Sequence, residues 1–135
     1  MSMEAELALQ QALFTRLTED EAVAALVGTR VYDDVPGGAA FPYLSIGAMR
    51  SRDWSTGDNT GLEVRLTLTA WSRAHGGREA REVAGAVKAA LHDADLALTD
   101  HVLVSLRFLD GDMTRERDGI TRRQELRFRA LVEKR

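Results

Sequence analysis

Strict alternation of apolar and polar residues over positions 62–71 is the feature that most constrains the fold. The segment reads LEVRLTLTAW, with every second side chain apolar. Successive side chains of a β-strand point to opposite faces, so this pattern predicts a strand with one buried and one wet face. Residues 102–108 and 126–132 repeat the pattern. The polar face of the last strand is expected to carry Arg123, Glu125, Arg127 and Arg129.

Two long helices are predicted from a different spacing. Residues 4–17 place leucines and alanines three or four positions apart, and residues 78–93 do the same with a small, alanine-rich stripe. Between them, the segment TEDE has the form of a capping box in which Thr18 caps a short second helix. Gly28 is expected to end that helix.

The order of these elements predicts an α+β fold. We expect a mostly antiparallel sheet of four to five strands with two main helices packed on one side, in a single domain covering residues 1–135. Tight turns are predicted at Asp110–Gly111 and at Asp118–Gly119, because Asp-Gly pairs favour turns.

Composition excludes several classes of function. The chain has no cysteine, which removes disulfides, thiolate catalysis and zinc sites built on sulfur. Its formal net charge of -3 does not indicate a nucleic-acid or membrane partner. No apolar run approaches the ~20 residues that span a bilayer, and the acidic start MSMEAELAL lacks the basic region of a signal peptide.

No set of catalytic residues emerges. Residues 30–47, RVYDDVPGGAAFPYLSIG, bring Asp33 and Asp34 between a strand and two prolines. Adjacent residues of an extended chain point apart, so this segment is interpreted as a corner between two strands. The three histidines, His75, His92 and His101, lack the local spacing of metal ligands. We therefore expect no enzyme activity, no metal and no cofactor.

The two ends of the chain differ in charge. Residues 107–135 contain nine Lys or Arg against six Asp or Glu, whereas residues 1–50 contain three Arg against seven acids. The basic strand is interpreted as a solvated face or a salt-bridge seam between subunits. Trp54, near a hairpin tip, and Trp71, at a strand end, are each either core edge or interface anchors.

Taken together, these segments resemble the tail completion, or tail terminator, proteins of long-tailed bacteriophages, prophages and gene transfer agents. The resemblance runs from about Leu7 to Glu133. Its most specific parts are the block from Arg30 to Tyr43 and the strand end Trp71-Ser72-Arg73. The segments GGREAREVAGAVKAALHD, LALTDHVLVSLRFLDGD and RDGITRRQELRFRALVE follow in the same order.

The resemblance implies a structural role in a virion. Such proteins form rings, typically hexamers, on the head-proximal end of the tail tube, stop its polymerisation and offer a docking surface to the head-side connector. The implied partners are further copies of the chain, the major tail tube protein and the connector, with DNA only passing through the ring lumen. Assembly would take place in the bacterial host cytoplasm, without a reaction, a cofactor or a membrane.

A closed ring needs two different complementary surfaces on each subunit. We expect Arg123, Arg127 and Arg129 to meet the acidic first half of a neighbouring copy. Two loops are expected to order on the tube or connector: the tip around Trp54, and the turn from Met113 to Gly119, which carries Arg115 and Arg117.

Two other classes stay open at this point. One is a small nucleic-acid-binding or regulatory module that uses the Arg-rich C-terminal strand. The other is a small enzyme in which Asp33 converges with His75 or His101.

Overall fold

The structure is a computed structural model that describes residues 2–135 and contains three helices and six strands. The helices are α1 (Ser2–Glu19), α2 (Glu21–Val27) and α3 (Arg78–Leu91). The strands are β1 (Val31–Tyr32), β2 (Tyr43–Asp53), β3 (Gly61–Ser72), β4 (Ala97–Leu98), β5 (His101–Arg115) and β6 (Arg122–Lys134).

The strands form one strongly curled sheet in the order β1-β2-β3-β6-β5-β4. Every pairing is antiparallel except that of β1 with β2, which is parallel. The predicted α+β class is confirmed, but the sheet is mixed and has six strands rather than four to five. The strand that the prediction missed is β4, which has two residues, too few to show an alternation. The short strand before the corner at residues 33–42 is β1, and its parallel pairing with β2 makes the sheet mixed.

The core lies between the sheet and the helices α1 and α3. On the sheet side, Val64, Leu66, Leu68 and Ala70 of β3 are all buried, as the alternation predicts. Leu9, Leu13 and Leu17 of α1 are fully buried against them. Phe128 of β6 is the largest fully buried side chain. The spacing of apolar residues therefore predicted the core faces of α1, α3, β3 and β6 correctly. It was wrong for the first half of β5, where Val102 and Val104 are 40% and 47% exposed and Leu103 is buried instead. A bulge at Val104 adds an unpaired residue there, which shifts the alternation by one position.

The predicted capping box at Thr18 is wrong. Helix α1 continues to Glu19, and the Thr18 hydroxyl donates to the carbonyl oxygen of Phe14 at 2.8 Å inside that helix. Asp20 caps α2 instead, accepting a hydrogen bond from the Val23 amide at 3.1 Å. Both residues are good N-cap types, and the length of α1 decides between them. Gly28 ends α2 at φ 60°, as predicted.

Of the two predicted Asp-Gly turns, only the second exists. Asp110 and Gly111 lie inside β5, next to a bulge between Phe108 and Asp110, and pair with β6. The chain turns at residues 116–121, which include Asp118 and Gly119. Because β5 runs on to Arg115, the loop predicted from Met113 to Gly119 is shorter than expected and begins after that residue.

Gly111 has a steric reason to be glycine. A Cβ there would lie 2.4 Å from the carbonyl oxygen of Glu125, whereas one at the exposed helical Gly85 would meet nothing within 4 Å. We expect Gly111→Ala to lower the free energy of unfolding by about 1–3 kcal/mol. Gly85→Ala is expected to raise it by about 0.4–1 kcal/mol. Urea unfolding of both variants tests the pair, and a Gly111→Ala protein as stable as the parent would contradict the strand assignment.

Candidate interaction surface

The sheet has one face that no helix covers, which we call the open face. It carries the side chains of β2, β3, β6 and β5 that point away from the core. Four arginines lie side by side across it, because Arg50 pairs in register with Arg65, Arg65 with Arg129, and Arg129 with Arg107. We call these four residues the arginine row. Like charges placed directly opposite one another destabilise a sheet, so the row needs compensation.

Glu63 supplies part of that compensation from the neighbouring row. Its carboxylate accepts from Arg129 Nε at 2.6 Å and lies 3.4 Å from Arg65 Nε and 3.3 Å from Arg52 Nε. The hydrogen bond from Arg129 holds the pKa of Glu63 below its usual value. The alternation placed Glu63 on the wet face, yet it is only 3% exposed. The prediction of a wet face fails there because the surrounding arginine side chains cover the carboxylate.

The arginines predicted as interface residues on β6 already have partners within the chain. Arg127 lies 2.5 Å from Asp110 and 3.2 Å from Asp112, with Glu125 at 3.4 Å. The hydrogen bonds that Arg127 donates to Asp110 and Asp112 raise the pKa of Arg127. Arg123 Nε lies 3.2 Å from Glu116 Oε1. The open face is therefore divided into a basic half around the arginine row and a half around Arg127 in which carboxylates predominate.

Trp71 belongs to an aromatic cluster at one end of the sheet. Tyr43 lies between Trp71, stacked at 6.1 Å, and Phe41, at 5.0 Å between ring centroids. Arg73 sits over the Phe41 ring at 4.5 Å. Burial raises the pKa of Tyr43. Residues 33–42 connect β1 to β2 next to this cluster, so their interpretation as a corner is confirmed.

Trp54 lies at the opposite end of the sheet. It follows β2 directly, and its backbone amide donates to the Gly61 carbonyl oxygen at 2.9 Å across the hairpin. Its half-buried ring lies close against Gly61, where a Cβ would be 3.0 Å from Trp54 Cε3. The two tryptophans therefore lie at opposite ends of the sheet and cannot act together as one interface anchor.

The β5–β6 turn is organised by Asp118. This carboxylate accepts hydrogen bonds from the amides of Ile120 and Thr121, at 2.8 and 2.7 Å, and from the Thr121 hydroxyl at 2.6 Å. These bonds, with the hydroxyl of Thr121 contributing most, lower the pKa of Asp118 to about 2. Arg115 Nε donates to the Gly119 carbonyl oxygen at 2.8 Å, while Arg117 is exposed at the tip.

The lowered pKa makes the turn sensitive to acid. A carboxyl whose pKa is depressed in the folded state stabilises the fold above its unfolded pKa, and this contribution is lost as the pH falls through the folded value. We expect the parent protein to lose stability between pH 3.8 and about 2 more steeply than Asp118→Asn. Thermal unfolding of both proteins across that range measures the difference. Parallel curves would contradict a role for the ionised carboxylate.

Two exposed apolar surfaces lie on different elements. The α1 stripe consists of Met3, Leu7 and Phe14, which are 77%, 55% and 40% exposed. Beside it runs a groove of about 440 Å³, which Val31 and Ile46 also line. The β5 patch consists of Val102, Val104 and Leu109, which are 40–47% exposed. Val104 and Leu109 occupy the two bulges of β5, where an extra residue is left unpaired.

Two of the three histidines contact backbone groups. His101 is buried with Nδ1 2.6 Å from the Thr99 carbonyl oxygen, and His92 accepts the Phe108 amide at 3.0 Å. Within residues 2–135, no group of three His, Asp or Glu side chains is placed to hold a metal ion. In the same range no helix is long and apolar enough to cross a membrane.

Comparison with known proteins places the chain in a family. Residues 11–133 match the model of tail completion protein gp17. The chain belongs to this tail completion family. A protein in a solved structure of the virion of a native gene transfer agent particle is 38% identical, with a TM-score of 0.89. That alignment covers 96% of this chain and 97% of the other. No curated protein sequence matches.

Membership of the tail completion family confirms the resemblance drawn from the sequence. Family and structural neighbour together support a structural role in a phage-type tail and indicate a structural virion protein rather than an enzyme. The family match covers residues 11–133, which include the arginine row, the aromatic cluster and the β5 patch, and of the α1 stripe only Phe14.

Proposed function

We propose that this tail completion protein forms a ring on the head-proximal end of the tail tube, ends tube growth there and provides the docking surface for the head-side connector. The observation that carries the proposal is the 38% identity, over nearly the full length of both chains, to a component of a gene transfer agent virion. At that identity and a TM-score of 0.89, the two chains share the same fold over nearly their full length.

The two apolar surfaces support ring formation. A cyclic assembly uses heterologous contacts, in which one surface of a subunit meets a different surface of the next. The α1 stripe lies on a helix, and the β5 patch lies on an edge strand that pairs with β4 only at His101 and Val102. We propose that the β5 patch of one copy packs on the α1 stripe of its neighbour, which would bury apolar side chains that are exposed in the monomer.

The two ends of the sheet and the arginines of β6 are further contact surfaces in this proposal. The tip around Trp54 and the Trp71 end of the sheet lie at opposite ends and suit two different partners, the tube and the connector. At the Trp71 end, Arg115 closes β5 and Arg117 lies in the turn that follows. The predicted contact of Arg123, Arg127 and Arg129 with an acidic neighbour requires them to exchange or share the internal carboxylates that they already contact.

Two measurements on the purified chain test the proposal. Light scattering behind a sizing column gives its mass alone and after mixing with the tube protein encoded beside it, and electron microscopy gives the lengths of tubes grown with and without it. We expect a hexamer, either alone or on tube ends, and shorter tubes as its concentration rises. A chain that stays monomeric and leaves the length distribution unchanged would contradict the proposal.

A further inference from the structure

The arginine row is a cluster of charge that the tail-ending role does not itself require. Arg65 and Arg107 are 58% and 60% exposed, and Arg50 is also exposed. Together with the adjacent Arg52, the row brings five guanidinium groups onto one part of the open face. Their carboxylate partners are few, because Glu63 serves Arg52, Arg65 and Arg129, and Asp93 lies 3.7 Å from Arg107.

Positive charge therefore remains in excess at this place. Within residues 2–135, Arg50 has no carboxylate within ion-pair distance, and the other four guanidinium groups share two carboxylates. The contrast with Arg127 is direct, since that single arginine contacts three carboxylates. The charge of the chain as a whole is -3, so the excess is local and not a property of composition.

We propose that the arginine row binds the phosphate backbone of double-stranded DNA without regard to sequence. Arginine offers a planar fork of donors that matches phosphate oxygens, and every member of the row is arginine. Neighbouring strands are about 4.8 Å apart, so the four side chains extend over about 14 Å. Duplex DNA presents about one negative charge for each 1.7 Å of its axis, which allows several contacts over that length.

The surroundings of the row favour DNA over an acidic protein surface. Protein interfaces have apolar or aromatic anchors at their centre and few charges there. The aromatic cluster around Trp71 lies at the end of the sheet, and Leu131, beside Glu63 in the next row, is only 9% exposed. From Arg50 to Arg129 the row thus offers charge without an anchor, and the exposed apolar side chains of the β5 patch lie beyond Arg129, on the strand of Arg107. Such a surface suits backbone contacts that position DNA and read no bases.

In the proposed ring the arginine row would face the lumen through which DNA passes; this orientation rests on the proposed function, whereas DNA binding by the chain does not. The test compares Arg50→Gln/Arg65→Gln with Arg78→Gln/Arg81→Gln, which removes the same charge from α3, on the other side of the sheet. All four side chains are exposed, so both variants are expected to fold, and thermal unfolding checks this. The probes are two short fluorescent duplexes of unrelated sequence, titrated by anisotropy at several salt concentrations.

We expect the parent and the α3 variant to bind both duplexes alike and more weakly as salt rises. The row variant should bind on the order of tenfold more weakly at low salt, with a logarithmic salt slope smaller by about two. Equal loss in both variants, or no binding by the parent at low salt, would overturn the proposal. So would a row variant that binds DNA normally but no longer joins its own copies or the tube protein, since the row would then serve a protein.

The tube-length measurement separates this inference from the proposed function. The row variant should still shorten tubes as the parent does, because it changes neither the α1 stripe nor the β5 patch. A parent protein that binds DNA through the row but leaves tube lengths unchanged would contradict the proposed function and leave the phosphate site standing.

Discussion

Leu7→Glu is expected to abolish ring formation and capping of tubes while leaving the subunit folded. Leu7 is 55% exposed in the centre of the α1 stripe, so a charged replacement should cost the isolated chain little. In the ring, the carboxylate would be buried against apolar side chains of the neighbour without a partner, a cost of about 2 kcal/mol or more at each contact. The affinity between subunits should therefore fall more than tenfold.

Two further variants test whether the effect of Leu7→Glu is specific to the proposed contact. Ala89→Glu adds the same charge to an exposed position of α3 and should assemble normally. Val104→Glu, in the β5 patch, should fail in the same way as Leu7→Glu. Mixing the two defective proteins restores one sound contact per pair, so light scattering should show dimers but no closed rings. Normal rings from either defective protein alone would rule out this contact.

Glu63→Gln is expected to cause the largest loss of stability among changes on the open face. The substitution keeps the size of the side chain but removes the charge that Arg52, Arg65 and Arg129 share. We expect the free energy of unfolding to fall by about 1–3 kcal/mol, because the arginine row loses its central compensating charge. Added salt should recover part of the loss by screening the repulsion between arginines.

Glu125→Gln is the matched control for this prediction. Glu125 also faces an arginine of β6, but Arg127 keeps Asp110 and Asp112 when Glu125 is neutralised. Since the pKa of Glu63 is lowered in the fold, its contribution should be complete above the ordinary carboxyl pKa of 4.5 and vanish as the pH falls through the lowered value. Denaturant unfolding of both variants at neutral and acid pH tests this prediction. Equal losses of unfolding free energy in Glu63→Gln and Glu125→Gln would show that the charge of Glu63 is not the main compensation of the arginine row.

The sequence predicted the buried face correctly where a periodic pattern was long and the strand had no bulge. In β5 the bulge at Val104 broke the pattern, and Val102 and Val104 are exposed although they were predicted to be buried. The alternation in β3 and β6 and the helical spacing in α1 and α3 each identified the buried side correctly, because burial of apolar side chains imposes the period. Short elements were predicted less well. The capping box at Thr18 and the turn at Asp110–Gly111 were wrong because local preferences of this size, about 1 kcal/mol, yield to the length of a helix or to pairing with another strand.

The arginines of the open face could be identified only in part from the sequence. Arg127 and Arg129 stood out in the sequence as neighbours on one strand, yet the structure neutralises Arg127 with three carboxylates. Arg50 and Arg107 carried no signal, because nothing in the sequence indicates which residues of separate strands lie opposite each other. A shift by one residue would have turned either of them to the core side.

The sequence by itself determined the class of fold, the core faces of α1, α3, β3 and β6 and, through its resemblance, the tail completion family. These rest on local periodicity and on the identity of residues, both of which can be read along one chain. Only the tertiary structure decided which charges compensate each other, that Glu63 is buried and that four arginines form a row. Strand register and sheet order decide these, since they set the distances between residues far apart in sequence, and electrostatic energy depends on those distances.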